Sequence, residues 1–229
     1  MKKEFTIFLS GLLLFVLFSS AYAQNLKFGG RGGANLGFFS GNADPFEKKM
    51  RMAIGFGGII EFWLNDMLAI QANALYNMKG AKLEWNYEET FFGTTYTYST
   101  KETFKFSYLS LPIFGKLAIG SEGSPRIFLI GGPEVGILLS AKADVKSQVE
   151  GSGLNQEQSG EVDVKDESKS IEIVLNFGGG FEIPMDQVTI FIEGRYGLGV
   201  TKAFEFQDTS AESLRNQVII INLGILFGL

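Results

Sequence analysis

The stretch Val188-Thr189-Ile190-Phe191-Ile192-Glu193-Gly194-Arg195-Tyr196-Gly197-Leu198-Gly199-Val200 decides the fold. Every second residue, from Val188 through Ile190, Ile192, Gly194, Tyr196 and Leu198 to Val200, is uncharged, and the positions between them hold Thr189, Glu193 and Arg195. A period of two belongs to a β-strand with two unlike faces. Worked outward from this stretch, the alternation recurs, giving eight strands at 26–38, 51–62, 67–79, 108–119, 126–141, 170–183, 188–201 and 216–229, separated by clusters of Gly, Pro, Asn, Asp and Ser. In the third strand the uncharged face is Leu68, Ile70, Ala72, Ala74, Tyr76 and Met78. Over all eight strands it holds 54 positions without one charge, where the chain's 20% charged content would place about 11.

The opposite faces carry six cations (Lys27, Arg31, Arg51, Lys79, Lys116, Arg195) and five carboxylates (Glu61, Glu134, Glu172, Glu182, Glu193), with several Asn and Gln among them. A soluble barrel such as a lipocalin buries its apolar face and shows the polar one to water. A continuous charge-free face opposite a charge-balanced one is the reverse, an apolar exterior around a polar interior, as in an outer-membrane barrel. About ten residues at roughly 3.3 Å rise, tilted near 40°, cover about 25 Å of bilayer. The expected fold is therefore all-β: an eight-stranded antiparallel up-and-down transmembrane barrel with a filled interior. Alternation alone also permits a two-sheet sandwich.

The connections alternate in length. Those at 63–66, 120–125 and 184–187 are tight turns, and those at 39–50, 80–107, 142–169 and 202–215 are long. Short periplasmic turns and long extracellular loops predict that both termini are periplasmic. Residues 1–23 read as a cleaved signal peptide: Lys2 and Lys3, then an apolar run from Phe5 to Phe18, then Ala21-Tyr22-Ala23 as the small-x-small site. The run is shorter than the roughly 20 residues of a spanning helix. Residues 24–229 then form one barrel domain located in the outer membrane, with no second domain.

Composition excludes much of chemistry. The 229 residues include no His and no Cys, which removes Ser-His and Cys-His nucleophile pairs, thiolate zinc sites and disulfides. A net charge of -5 argues against nucleic acid as a partner. No cofactor is expected. Gly29-Gly30-Arg31-Gly32-Gly33 and Gly178-Gly179-Gly180 open no helical pattern, so they read as room for bulky neighbours inside a narrow barrel and not as phosphate loops.

Gly33-Ala34-Asn35-Leu36-Gly37, Leu75-Tyr76-Asn77-Met78-Lys79-Gly80, Tyr108-Leu109-Ser110-Leu111-Pro112-Ile113 with Lys116, Gly131-Gly132-Pro133-Glu134-Val135-Gly136, Phe177-Gly178-Gly179-Gly180-Phe181-Glu182, Glu193-Gly194-Arg195-Tyr196-Gly197-Leu198 and a terminal strand from Asn222 follow one another along the chain. In these motifs the chain resembles the porin-like outer-membrane β-barrel (PorT-like) family of Bacteroidetes. The resemblance implies an outer-membrane location and, as a subordinate role, an accessory part in protein secretion. Such barrels usually end in an aromatic residue read by the insertion machinery; this chain ends in Leu229, with Phe227 on the same face.

Eight strands leave a bore just wide enough for side chains to fill. Arg31, Arg51, Glu61, Lys79, Lys116, Glu134, Glu172, Glu182, Glu193 and Arg195 are therefore expected to form a salt-bridged interior plug and not an acid–base catalytic set. The connection 80–107 is rich in aromatics. A hairpin around Gly93-Thr94-Thr95 would extend strands three and four, and their frames carry Trp85, Tyr87, Phe104, Phe106 and Tyr108 inward as an aromatic lid; a bulge at Gly80 would instead turn the aromatics into an interfacial belt. The acidic connection 142–169 reads as a solvated mobile loop, with divalent-cation binding as the alternative. The expected role is a non-catalytic structural or interaction protein of the envelope. It would meet outer-membrane lipid and lipopolysaccharide, the barrel insertion machinery through its C-terminal strand, and an envelope or secretion partner. The alternatives are a small porin-like channel and a soluble exported lipocalin-like carrier.

Overall fold

Alternating strands separated by tight turns pair with their sequence neighbours, and every pairing in the structure is antiparallel. The computed structural model describes residues 25–41, 43–151, 154–204 and 214–228; the expected signal peptide and Leu229 lie outside the described residues. Ten strands follow in order: β1 (Leu26–Ser40), β2 (Glu47–Trp63), β3 (Leu68–Lys79), β4 (Ala81–Phe91), β5 (Thr94–Ile119), β6 (Arg126–Gly151), β7 (Leu154–Asp163), β8 (Ile171–Met185), β9 (Val188–Gly199) and β10 (Arg215–Gly228). Eight of them close a ring in the order β1-β2-β3-β5-β6-β8-β9-β10, and β10 returns to β1 from Lys27↔Gly228 to Ser40↔Arg215. Closure leaves the ring no free edge.

Polarity is inverted relative to a soluble domain. Glu61, Glu134, Glu182 and Glu193 are at most 1% exposed, whereas Ile54, Ile113, Ile127 and Leu223 are more than half exposed. Inside, Ile59, Trp63, Phe114, Phe128, Phe191 and Leu226 pack together towards the end that carries the short turns. Room for them comes from glycine: a Cβ on Gly224 would stand 2.2 Å from the Phe191 ring. Two residues, Asp186 and Gln187, suffice to join β8 to β9, with Asp186 at φ 49°.

The structure adds two strands to the eight expected from alternation, because pairing does not stop where the apolar face stops. β5 and β6 each run for 26 residues, and beyond the ring they carry β4 and β7 as hairpin partners. Much of the acidic connection, read from sequence as a mobile loop, is thus the β6–β7 hairpin, with Lys142–Glu161 at 2.6 Å and Lys105–Asp144 at 2.5 Å tying its charges across strands. One bulge matters for side-chain direction. β5 pairs Tyr108 with Leu138 but Ser107 with Ser140, so Leu139 is skipped and the frame of β6 inverts. Ala141 and Ala143 therefore turn inward.

Candidate functional site

Three groups of ion pairs span the lumen at successive levels. Nearest the short turns, Lys116 Nζ donates to Glu61 Oε1 at 2.8 Å and Glu182 Oε2 at 2.6 Å, and Arg126 Nε donates to Glu182 Oε1 at 2.5 Å. Trp63 lies beneath both cations, 4.3 Å from the Arg126 guanidinium and 5.2 Å from Lys116 Nζ. At mid-height Glu193 sits between two guanidiniums: Arg31 bonds it directly, and Arg195 Nε is 3.4 Å from Oε1. Arg31 also reaches Asn73 Oδ1 at 3.2 Å, and Arg195 lies over the Phe114 ring at 4.9 Å. Higher still, Lys79 Nζ bridges Glu134 at 2.9 Å and Glu172 at 2.8 Å. Asn176 and Asn216 donate to the remaining oxygens of those carboxylates at 3.1 and 2.9 Å.

Among the described residues the buried charges are five cations (Arg31, Lys79, Lys116, Arg126, Arg195) and five carboxylates (Glu61, Glu134, Glu172, Glu182, Glu193). Pairing is what makes such burial affordable. Arg126 is absent from the set read from sequence, although it shares the parity of Glu134 along β6; it stands at the first residue of its strand, where alternation has no preceding residue to fix the frame. Arg51 stands apart from the others. Half-buried at the rim, it donates to the Lys79 carbonyl oxygen at 2.8 Å. Lys27 is likewise half-buried and bonds Thr189 Oγ1 at 3.3 Å.

Above Lys79 the lumen turns from ionic to aromatic. Lys79↔Phe106 and Lys82↔Thr103 share one register along β5, so Gly80 introduces no frame change there. The adjustment falls instead on β2, where residues 51–54 face only 78–80. Gly80 has φ 134°, and a Cβ there would stand 2.0 Å from the Phe104 carbonyl oxygen. With the frame kept, Leu83, Phe104, Phe106 and Tyr108 point to the axis and pack with Phe39, Phe204 and Leu214. Phe39, Phe104, Phe106 and Phe204 form a set of edge and tilted ring contacts with centroids 5.2–6.4 Å apart. Trp85 and Tyr87 lie on the same side but higher; Trp85 is half-buried and touches Phe46, and Tyr87 is exposed. Phe39 shares its strand parity with Arg31, but the sequence reading ended the first strand at residue 38 and left it in a connection; Phe204 lies in a connection, where no periodicity marks it.

Chemically, the lumen offers carboxylates already held by cations. Among the described residues no group of three or more Asp or Glu is arranged to hold a metal ion. Outside the ring, burial raises the Glu102 carboxyl above the ordinary carboxylate range.

A family profile described as an outer membrane protein beta-barrel domain matches residues 22–205. No curated protein sequence matches the chain. Among solved structures it is similar to Neisserial surface protein A, at 12% identity over 88% of this chain and 97% of that one, with a TM-score of 0.40. It is similar to Ail, the attachment invasion locus protein of Yersinia pestis, at 10% identity over 88% and 98%, with a TM-score of 0.37. The N-terminal β-barrel domain of Pseudomonas aeruginosa OprF aligns at 11% identity over 89% and 97%, with a TM-score of 0.34.

Proposed function

The chain belongs to the outer membrane protein β-barrel domain family, and from that premise we propose a non-catalytic envelope protein: a plugged barrel that anchors two long hairpins for binding. The observation that carries this reading is the contrast between its two parts. Lys79, Arg31 and Lys116 each join carboxylates or amides from strands across the lumen, which favours a plug over a water-filled channel. The hairpins, by contrast, rise beyond the last outward apolar residues, Met78 and Leu109, for about 40 Å of strand. In this reading residues 1–23 are removed on export, both termini are periplasmic and the hairpins are extracellular. Lipid and lipopolysaccharide surround the barrel, and insertion is directed by the C-terminal strand around Phe227. The PorT-like motifs support a narrower version, an accessory role in protein secretion.

Fractionation and conductance test it together. The protein should remain with outer membranes through a carbonate wash and migrate differently on a denaturing gel before and after heating. Reconstituted in planar bilayers, it should give no unitary current steps. Recovery in the soluble periplasm would reject the membrane barrel, and discrete steps would establish the channel reading instead.

A further inference from the structure

Beyond the mouth cluster, β4, β5, β6 and β7 continue as one sheet whose two sides differ in charge. On the outer side these strands carry twelve charged residues in register, among them Lys101, Lys105, Asp144 and Glu161. The side facing the barrel axis carries two, Glu89 and Glu102. A sheet extension that merely stands in water has no reason to deplete one side so strongly.

Register decides what takes the place of the charges. Trp85, Thr100, Ser147 and Gln158 form one row across the four strands, and Tyr87, Tyr98, Val149 and Gln156 form the next. The Trp85 and Tyr87 rings are 5.8 Å apart and parallel within 12°, and Tyr87 and Tyr98 are 6.0 Å apart. Each row spans three strand spacings, roughly 14 Å, which is the scale of a short oligosaccharide. Lipid is the wrong occupant, because these rows set Thr100, Ser147, Gln156 and Gln158 beside the rings, where acyl chains would leave hydroxyls and amides unpaired. On the axis-facing side of β4–β7 an anionic ligand would meet only the carboxylates Glu89 and Glu102. Serine is depleted at protein–protein interface centres, yet here Ser147 stands between Thr100 and Gln158. Apolar ring faces beside neutral hydroxyls and an amide complement a neutral molecule with apolar faces and equatorial hydroxyls.

We propose that this axis-facing side of the hairpin sheet binds a neutral oligosaccharide, with pyranose C–H faces on Trp85 and Tyr87 and sugar hydroxyls meeting Thr100, Ser147 and Gln158. The inference rests on the envelope-binding reading above and names the ligand class of its hairpins. Intact protein in lipid nanodiscs is titrated calorimetrically with maltohexaose, cellohexaose and chitohexaose. At least one should bind; Trp85→Ala and Gln158→Ala should each weaken it roughly tenfold, and Lys101→Ala on the outer side should leave it unchanged. Heat-modifiable mobility confirms that each variant is folded, and Thr100→Val tests the polar row while both rings remain. Failure of all three sugars to bind overturns the proposal, as does binding that ignores both Trp85→Ala and Gln158→Ala. Capture of an envelope protein that is lost with Trp85→Ala would also overturn it, making the face a protein site while leaving the envelope-binding reading intact. Only absence from the outer membrane would remove that reading as well.

Discussion

Lys79 reaches from β3 to Glu134 on β6 and Glu172 on β8, and among the described residues it is the cation that pairs with both. Removing it leaves two buried carboxylates with neutral hydrogen-bond donors such as Asn176 and Asn216 but no directly bonded cation. A buried pair broken on one side costs about 3–5 kcal/mol, so Lys79→Met should lower stability by that order in urea unfolding from lipid vesicles. Adding Glu172→Gln should recover part of the loss, because one of the two stranded charges is then gone. Lys165→Met, at an exposed connection, serves as the control and should cost almost nothing. Equal midpoints for all variants would show that the lumen charges are solvated and not paired. This residue was legible before the structure: its parity on the third strand assigned it to the interior. Which carboxylates it meets was not, since strand alternation fixes the side a residue faces and says nothing of its height against strands that are not its neighbours.

At the scale of elements, the hairpins mark the limit of reading by alternation. The expected ring strands were visible because lipid demands an unbroken apolar face; beyond it, β4 was still legible as half of a hairpin around Gly93, whereas β7 alternates charged residues with Val, Gln and Gly, a pattern that reads as a loop. Their order comes from pairing with the long strands, which the register shows and a single segment does not. The β4–β5 turn is informative here. Phe92 has φ 49° and Gly93 φ 82°, the two positive values of a two-residue hairpin turn of the Asn-Gly type. Phe92 is fully exposed, so its ring recovers nothing for the unfavourable backbone. Phe92→Asn should stabilise the hairpin tip by about 1 kcal/mol, slowing hydrogen exchange in the two pairs nearest the turn, Thr90↔Thr95 and Phe91↔Thr94, without changing exchange in the ring. Unchanged protection at the tip would mean that the turn is not held in this conformation.

Across the whole molecule, one polarity rule accounts for the placement of both tryptophans. Trp63 ends β2 on the inward parity and is buried beneath Lys116 and Arg126; Trp85 continues the inward parity of β3 through an unshifted register past Gly80. The outward aromatics are of other types, as in the Phe56–Tyr76 and Phe177–Tyr196 contacts on the apolar side. An intact barrel should therefore present no indole to acyl chains. In vesicles of acyl-brominated lipid, emission excited selectively from tryptophan should match that in unbrominated lipid, and Trp63→Phe should leave the remaining Trp85 signal equally unquenched. A barrel turned to the opposite polarity would expose Trp63, and a frame change at Gly80 would bring Trp85 to the interface. Quenching lost in the Trp63→Phe variant would identify the first failure, and quenching that persists in it would identify the second.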